Sequence, residues 1–193
     1  MMRVLLFLFI VVLTASCGKQ NEQYDKPYLD FDSLINAQIQ TLRSKAITIQ
    51  KDASMKDQQS QGQVAGDSLT LARELDIFRQ LDFINRPMFR NQYTIAEQPD
   101  TKSNLTVRVY RANIPSPMKE VRLYYLGDLK KLKRIESQFE EENTLYYTRR
   151  NYTLEFEETD GVAWLRQSRV GGVQKMILND SVHFFVTSTY SLH

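Results

Sequence analysis

The stretch YYTRRNYTLEFEETDGVAWLR, residues 146–166, decides the fold class predicted for this chain. Every second residue in its first half falls on one face. The members of that face are Tyr146, Thr148, Arg150, Tyr152, Leu154 and Phe156. A period of two is typical of a half-buried strand in an antiparallel sheet. Asp160 and Gly161 then interrupt the alternation, and Asp-Gly suits the two-residue turn of a β-hairpin. The stretch therefore predicts two antiparallel strands joined by a tight turn.

Alternation with a period of two continues in further segments of the C-terminal half of the chain. These segments are 105–110, 121–125, 133–139 and 182–186. Together with the quoted stretch they predict a meander of about six or seven antiparallel strands within residues 88–192. Gly171 and Gly172 fall inside this region as either a turn or a β-bulge in one long strand, and the bulge is the favoured interpretation.

Two helices are predicted ahead of the sheet, over residues 33–50 and 67–84. The first has an apolar stripe at spacings of three and four, which is typical of an amphipathic helix. Its members are Ile35, Ile39, Leu42, Ala46 and Ile49. Asp32 or Ser33 can cap its start. Residues 50–66 are polar, and their pattern leaves open whether they form a loop or a short hairpin.

These patterns predict an α+β fold in which two N-terminal helices pack on an antiparallel meander. A curved half-barrel is a variant of the same fold. Length and composition suit a single domain over residues 30–193, because 42% of all residues are hydrophobic and a chain of this size buries about two thirds of its unfolded surface. The formal net charge is only +2, which gives no basis for a nucleic-acid partner.

The N-terminus has the organisation of an export signal over residues 1–16. A short start containing Arg3 is followed by an uninterrupted apolar run from Val4 to Leu13, and small residues come next. This run is about half of the roughly 20 residues that a membrane-spanning helix needs. The chain then becomes polar, so residues 17–29 are predicted to form a flexible tether.

The segment Leu13-Thr14-Ala15-Ser16-Cys17 resembles the lipobox of bacterial lipoproteins, which has an aliphatic residue shortly before a cysteine and small residues beside it. The resemblance implies cleavage before Cys17, a diacylglyceryl group on its sulfur, and an acyl group such as palmitate on the new N-terminus. Two or more acyl chains anchor a protein stably in a membrane. Gly18 is not the aspartate that retains enteric lipoproteins in the inner membrane. The resemblance therefore favours the outer membrane, with the protein facing the periplasm or the cell surface.

The sequence has few residues that are suited to catalysis or to metal binding. The histidines are His183 and His193, and the single cysteine is predicted to be acylated, whereas a zinc site needs three or four suitable ligands. Glu155 and Glu157 share one strand face about 7 Å apart, but adjoining acidic residues lead into a turn and favour a solvated strand end. The sequence therefore predicts no catalytic residue, no metal and no cofactor, and a protein that is not an enzyme.

Aromatic side chains are dense in the predicted strands. Adjacent pairs place one ring on each face of a sheet, so the rings outside the core are available to form a groove or to meet a partner. The candidate ligand or partner surface consists of Tyr124, Tyr146, Tyr152, Trp164 and Phe184.

Three Asp-Ser-aliphatic triplets resemble the O-glycosylation acceptor of certain Gram-negative bacteria. The candidate acceptors are Ser33, Ser68 and Ser181. Asp-Ser is also the pair that helix caps and turns prefer, so a purely structural role for these residues stays open.

The sequence as a whole predicts a lipid-anchored envelope protein that acts as a non-enzymatic binding or assembly module. It would contact membrane lipid through acylated Cys17, and its further partner would be another envelope protein or a hydrophobic ligand. One alternative is a half-barrel carrier of lipid, which requires a sizeable apolar cavity between sheet and helices. The weakest alternative is an envelope hydrolase that uses Glu155, Glu157 or His183.

Overall fold

The computed structural model describes residues 25–159 and 161–192. The predicted signal peptide, Cys17, Asp160 and His193 lie outside these residues. The helices are α1 (Phe31–Ser44) and α2 (Ser68–Asp76), and 3₁₀ helices span Ile77–Asn85, Pro87–Phe89 and Leu129–Lys131. The strands are β1 (Thr48–Met55), β2 (Gln58–Ala65), β3 (Tyr93–Pro99), β4 (Thr106–Ala112), β5 (Met118–Tyr125), β6 (Leu132–Glu142), β7 (Tyr146–Thr159), β8 (Val162–Met176) and β9 (Val182–Ser191).

All nine strands form one antiparallel sheet in the order β2-β1-β9-β8-β7-β6-β5-β4-β3. The sheet is open, because β2 and β3 are its edges and each pairs on one side only. This arrangement confirms the α+β class, and β3 to β9 follow one another as the predicted meander. The strand count exceeds the predicted six or seven because the hairpin of β1 and β2 extends the sheet beyond β9.

The first predicted helix, over residues 33–50, is wrong at its C-terminal end. α1 ends at Ser44, and Ala46 turns the chain with a positive φ of 48° before β1 begins. Ile49 is fully buried, but it lies on β1 opposite Tyr190 of β9. An isolated apolar position fits both the helical and the strand period, so the tertiary pairing with β9 decides its structure.

Residues 50–66, which the sequence left as either a loop or a short hairpin, form part of a hairpin. In this hairpin of β1 and β2, Met55 pairs with Gln58 across the turn. The second predicted helix, over residues 67–84, is α-helical only in its first half and continues as the 3₁₀ helix Ile77–Asn85.

Both α-helices begin at an aspartate cap. Asp67, at the predicted start of the second helix, caps α2 by accepting a hydrogen bond from the Thr70 N–H at 2.7 Å. The cap of α1 is Asp30 and not Asp32 or Ser33, because the Asp30 carboxylate accepts from the N–H of Ser33 at 3.0 Å. Such caps satisfy backbone donors that the first turn of a helix leaves unpaired, and each stabilises the protein by about 1 kcal/mol.

The predicted bulge at Gly171 and Gly172 is wrong, since both glycines pair in regular register with β7 and β9. The register shift of β8 lies instead opposite the Glu155–Phe156 step, where Arg166 is the extra residue. Gly172 is required for a different reason. A Cβ atom built there would lie 1.9 Å from the Arg149 carbonyl oxygen, so a larger residue fits only if β7 moves.

The helical layer covers one face of the sheet, here called the inner face. Phe78 of the 3₁₀ helix packs on Tyr152 of β7 with ring centroids 5.9 Å apart. Phe83 packs in the same way on Phe139 of β6 at 5.6 Å. The fully buried side chains of this interface include Phe31, Ile35, Leu42, Leu71, Leu75, Leu81, Ile84, Val121, Leu123, Ile135 and Leu154. Burial of each such side chain stabilises the fold by about 1.5–3 kcal/mol.

The segment just before α1 is packed against the domain. Tyr28, which the sequence places in the tether over residues 17–29, is only 8% exposed. Its hydroxyl donates to the Tyr93 carbonyl at 3.2 Å and accepts from the Tyr93 N–H at 2.8 Å. The Asn85 amide accepts from the Tyr28 N–H and donates to the Leu29 carbonyl. The end of the predicted tether therefore belongs to the folded domain.

Gly172→Ala should lower the free energy of unfolding by about 3 kcal/mol, because the added methyl group meets a backbone oxygen that cannot move alone. Gly62→Ala is the matched control, since no heavy atom lies within 4 Å of a Cβ built on exposed strand β2. Urea unfolding followed by circular dichroism measures both. Equal stability of the two variants would contradict the close approach of β7 and β8.

Candidate functional site

A band of the inner face remains open between the 3₁₀ helix Ile77–Asn85 and the turns at one end of the sheet. The strand register places one residue from each of five neighbouring strands in a row across this band. The row is Phe139 on β6, Arg150 on β7, Gly172 on β8, Phe184 on β9 and Met55 on β1. Neighbouring strands lie about 4.8 Å apart, so the row is roughly 19 Å long.

Two depressions follow this row and share Arg150 and Gln174. The first has a volume of about 690 Å³, lies over β6, β7 and β8, and is walled by Gln80 and Phe83. The second has a volume of about 560 Å³, lies over β9, β1 and β2, and is walled by Ile77. We call them the first and second lobes of the inner groove. Both volumes fall within the range of about 300–1,000 Å³ that is usual for ligand sites.

The two lobes differ in the chemistry of their walls. The first lobe combines aromatic rings with polar groups, and its lining includes Phe83, Phe89, Phe139, Tyr146, Arg86 and Glu141. The second lobe is mainly apolar, and its lining includes Ala53, Met55, Ile77, Val182, Phe184 and Val186. Apolar walls with a few polar groups are the usual composition of a site that binds an organic ligand.

Arg150 stands where the two lobes meet. Its side chain is half-buried and takes part in no ion pair among residues 25–159 and 161–192. A guanidinium stays charged at physiological pH and presents five N–H donors in a planar fork. An arginine in a groove without a carboxylate partner is therefore able to bind an anionic group.

Two buried hydroxyl groups on the same face of β7 lack a hydrogen-bond partner in the described structure. They are Thr148 Oγ1 and the Tyr152 hydroxyl, which lies beside the Arg150 guanidinium without a well-aligned hydrogen bond to it. Each belongs to a residue two places from Arg150 along the strand, a distance of about 7 Å. Thr148 is 5% exposed and lines the first lobe. A buried hydroxyl without a partner costs about 1–3 kcal/mol, so a ligand that supplied one would stabilise the protein.

The tyrosines that neighbour Arg150 stay protonated and add no negative charge to the groove. Burial raises the pKa of Tyr152, and the Arg150 guanidinium opposes that rise. A hydrogen bond to the Glu141 carboxylate is the main cause that raises the pKa of Tyr146. Both hydroxyls are therefore protonated at neutral pH, and the one carboxylate of the first lobe is already hydrogen-bonded by Tyr146.

An apolar rim borders the first lobe at the end of the sheet. Leu145, in the turn between β6 and β7, is 62% exposed, and Leu178, between β8 and β9, is 98% exposed. Ile177 joins the two turns, because its N–H donates to the Leu145 carbonyl at 2.8 Å. Met176 and Met88 are also exposed and line the lobe itself. A contiguous exposed apolar surface indicates contact with lipid or with another protein.

The structure distributes the five aromatic residues of the predicted ligand or partner surface over three places. Tyr146 lines the first lobe and Phe184 lines the second. Tyr152 and Trp164 are buried in the core beneath the helical layer. Tyr124 lies on the opposite, outer face of the sheet, in a small cluster with two valines of β4. Only two of the five residues are therefore brought together at one open site.

The residues considered for hydrolysis are not assembled into a cleft. Glu155 pairs with Arg169 at 3.1 Å, and Glu157 lies 3.9 Å from Arg166. His183 is exposed on the outer face. None of these residues lines the inner groove.

A cluster of three carboxylates already has a cation at its centre. Oxygen atoms of Asp30, Asp32 and Asp82 lie within 4.8 Å of one another, a spacing that suits a metal ion. The Lys26 ammonium lies 2.6, 3.1 and 2.8 Å from them, respectively. Burial lowers the pKa of Lys26, but its hydrogen bonds to the three carboxylates raise it above the ordinary value. These ion pairs therefore hold the segment before α1 against the 3₁₀ helix that contains Asp82.

The three candidate glycosylation serines are exposed. Ser33 lies in the first turn of α1 and Ser68 at the start of α2, and Ser181 immediately precedes β9. The Ser33 hydroxyl donates to the Asp30 carboxylate at 2.8 Å. Exposure makes all three accessible to modification, which stays a prediction.

Sequence reasoning missed Arg150, Thr148 and Gln174 as groove residues. A signal was present, because Arg150 is the one charged residue among the alternating positions from Tyr146 to Phe156. A charged residue on a core-facing side of a long strand indicates either a solvated strand end or a polar site. The register with β8 and β9 was needed to place it at the junction of two lobes.

Comparisons with protein-family models, with curated proteins and with solved structures gave no match to this chain. In the part of the chain that the structure describes, none of the helices has the length and apolar character needed to span a bilayer. The inner groove is therefore interpreted from its own geometry and chemistry.

Thr148→Val should raise the free energy of unfolding by about 1 kcal/mol in the absence of ligand, because it removes an unpartnered buried hydroxyl and keeps the shape of the side chain. Tyr28→Phe is the contrasting control, since its hydroxyl is paired, and it should lower the same quantity by about 1–2 kcal/mol. Urea titration measures both. A clear loss of stability in Thr148→Val would show that the hydroxyl has a partner.

Proposed function

We propose that this protein is a lipid-anchored, non-enzymatic binding module of a bacterial envelope and that the inner groove is its binding site. The anchor is Cys17, acylated as in the lipoproteins that its N-terminal segment resembles. The location is the outer membrane, facing the periplasm or the cell surface. The groove on the inner face is the observation that supports a binding role. It joins apolar walls with an arginine and a buried hydroxyl that have no ion-pair or hydrogen-bond partner within residues 25–159 and 161–192.

An assembly module and a carrier of a hydrophobic ligand differ in where a ligand would lie relative to the sheet and the helices. A half-barrel carrier encloses its ligand between sheet and helices, whereas here Phe78 and Phe83 pack directly on Tyr152 and Phe139. A ligand would instead lie beside the helical layer, in the open lobes. The apolar lining of the second lobe favours this form of hydrophobic binding as the second candidate function.

Cys17→Ser should abolish acylation and release the protein from the membrane fraction, because serine has no thiol to receive the diacylglyceryl group. Ser16→Ala is the control, since it keeps a small residue before the cleavage site and should leave the protein attached. Flotation of cell envelopes and mass spectrometry of the mature N-terminus measure both properties. A Cys17→Ser protein that still floats with membranes and is still cleaved before position 17 would overturn the lipoprotein assignment.

A photo-reactive phenylalanine analogue placed at position 184 should form one defined adduct in living cells, whereas the same analogue at position 185 should not. The two positions are neighbours on β9, but Phe184 lines the second lobe and Phe185 is exposed on the outer face. Mass spectrometry of the adduct distinguishes a protein partner from a lipid. Equal labelling from both faces, or none from position 184, would contradict a binding role for the inner groove.

A further inference from the structure

We infer that the inner groove binds an anionic diacyl membrane lipid, with its phosphate on Arg150 and one acyl chain in each lobe. This inference rests on the proposed function and names the ligand class of the same groove.

The position of Arg150 supports one anionic headgroup. The guanidinium is the cation that both lobes share, and no carboxylate of the described residues neutralises it. Its planar fork matches two oxygen atoms of a phosphate. Thr148 Oγ1, buried and without a partner, lies on the same face at the first lobe. A phosphate oxygen at this junction would accept the hydrogen bond that the hydroxyl now lacks.

The two lobes support two chains that diverge from that headgroup. Phe83, Phe89 and Phe139 supply apolar walls on one side of Arg150. On the other side, Ile77, Phe184 and Val186 supply the apolar walls of the second lobe. Each CH₂ group that a chain buries contributes about 0.8 kcal/mol.

The backbone around the groove disfavours a bound extended peptide. Strands β6, β7, β8, β9 and β1 each pair on both sides, so the floor of the groove offers no free backbone donors or acceptors. A peptide laid on this floor would bury N–H and C=O groups without partners, at a cost of about 1–3 kcal/mol for each group. Acyl chains carry no such groups, and the floor therefore suits a lipid.

The apolar rim supports the bilayer as the source of the ligand. Leu145, Ile177 and Leu178 project from two joined turns and expose apolar side chains at the mouth of the first lobe. Apolar side chains at a protein surface enter the boundary between headgroups and acyl chains, where their burial is favourable. A rim seated there would bring the groove next to membrane lipids.

The test uses the full-length lipidated protein in phosphatidylcholine vesicles that contain a trace of photoactivatable phosphatidylglycerol or, in parallel, photoactivatable phosphatidylcholine with the same chains. The anionic probe should label peptides of β7 and β9 about tenfold more than the neutral probe, because the choline cation of the neutral probe offsets its phosphate charge and would lie beside the Arg150 guanidinium. Arg150→Gln should remove this preference. Arg149→Gln, on the outer face of the same strand, should keep it.

Two further variants distinguish the loss of a ligand contact from misfolding. Arg150→Lys retains the charge but not the planar fork, and it should retain part of the preference for the anionic probe. Thr148→Val, expected to be more stable than the parent protein, should still lower labelling by about threefold or more. This combination separates loss of a ligand contact from loss of the fold.

Equal labelling by the two probes would overturn the inference, as would labelling confined to the apolar rim. Full displacement of the probe by free palmitate would point to a single-chain fatty acid and would also overturn the diacyl assignment. None of these results bears on whether Cys17 is acylated or on which adducts form in cells, so failure here would leave the proposed envelope function standing.

Discussion

The register between β7 and β8 is the constraint on which the rest of this structure depends. These are the two longest strands, with 14 and 15 residues, and they lie at the centre of the sheet. Because side chains alternate between faces, a slip of one residue would exchange the inner and outer sets. Tyr152 would then leave the core and Arg150 would leave the groove. Gly161 adopts the positive φ of 76° in the tight turn between the two strands. Gly172 has no side chain, which allows the backbone of Arg149 to approach closely.

The helical layer determines which part of the inner face becomes a site. The 3₁₀ helix Ile77–Asn85 seats Phe78 and Phe83 on the sheet, and it also forms one wall of both lobes. The start of α1 and the segment before it hold this helix in place, because the Phe31 N–H donates to the Asp82 carboxylate at 3.0 Å and Asn85 bonds to the chain near Tyr28. The groove is therefore the part of the inner face that the helical layer leaves uncovered.

Several elements of the fold could be predicted because one local pattern sufficed for each. The alternation along β7, the Asp-Gly turn and the aspartate cap of α2 depend on neighbours in sequence. The hairpin of β1 and β2 could not be predicted, because Ile49 fits a helical stripe as well as it fits a strand. The path of residues near Tyr28 could not be predicted either, since their partners lie some 57 to 65 positions further along the chain.

The sequence by itself determined the class of fold and the resemblance of residues 13–17 to a lipobox, because periodicity and a short signal are read from adjacent residues. It also placed Arg150 on the face shared by Tyr146 and Tyr152. Only the tertiary structure decided that this arginine has no ion-pair partner among the described residues and stands between two lobes. The physical reason is that charge neutralisation, hydrogen-bond satisfaction and open volume depend on side chains from β6, β8, β9, β1 and the helical layer, which only the folded chain brings together.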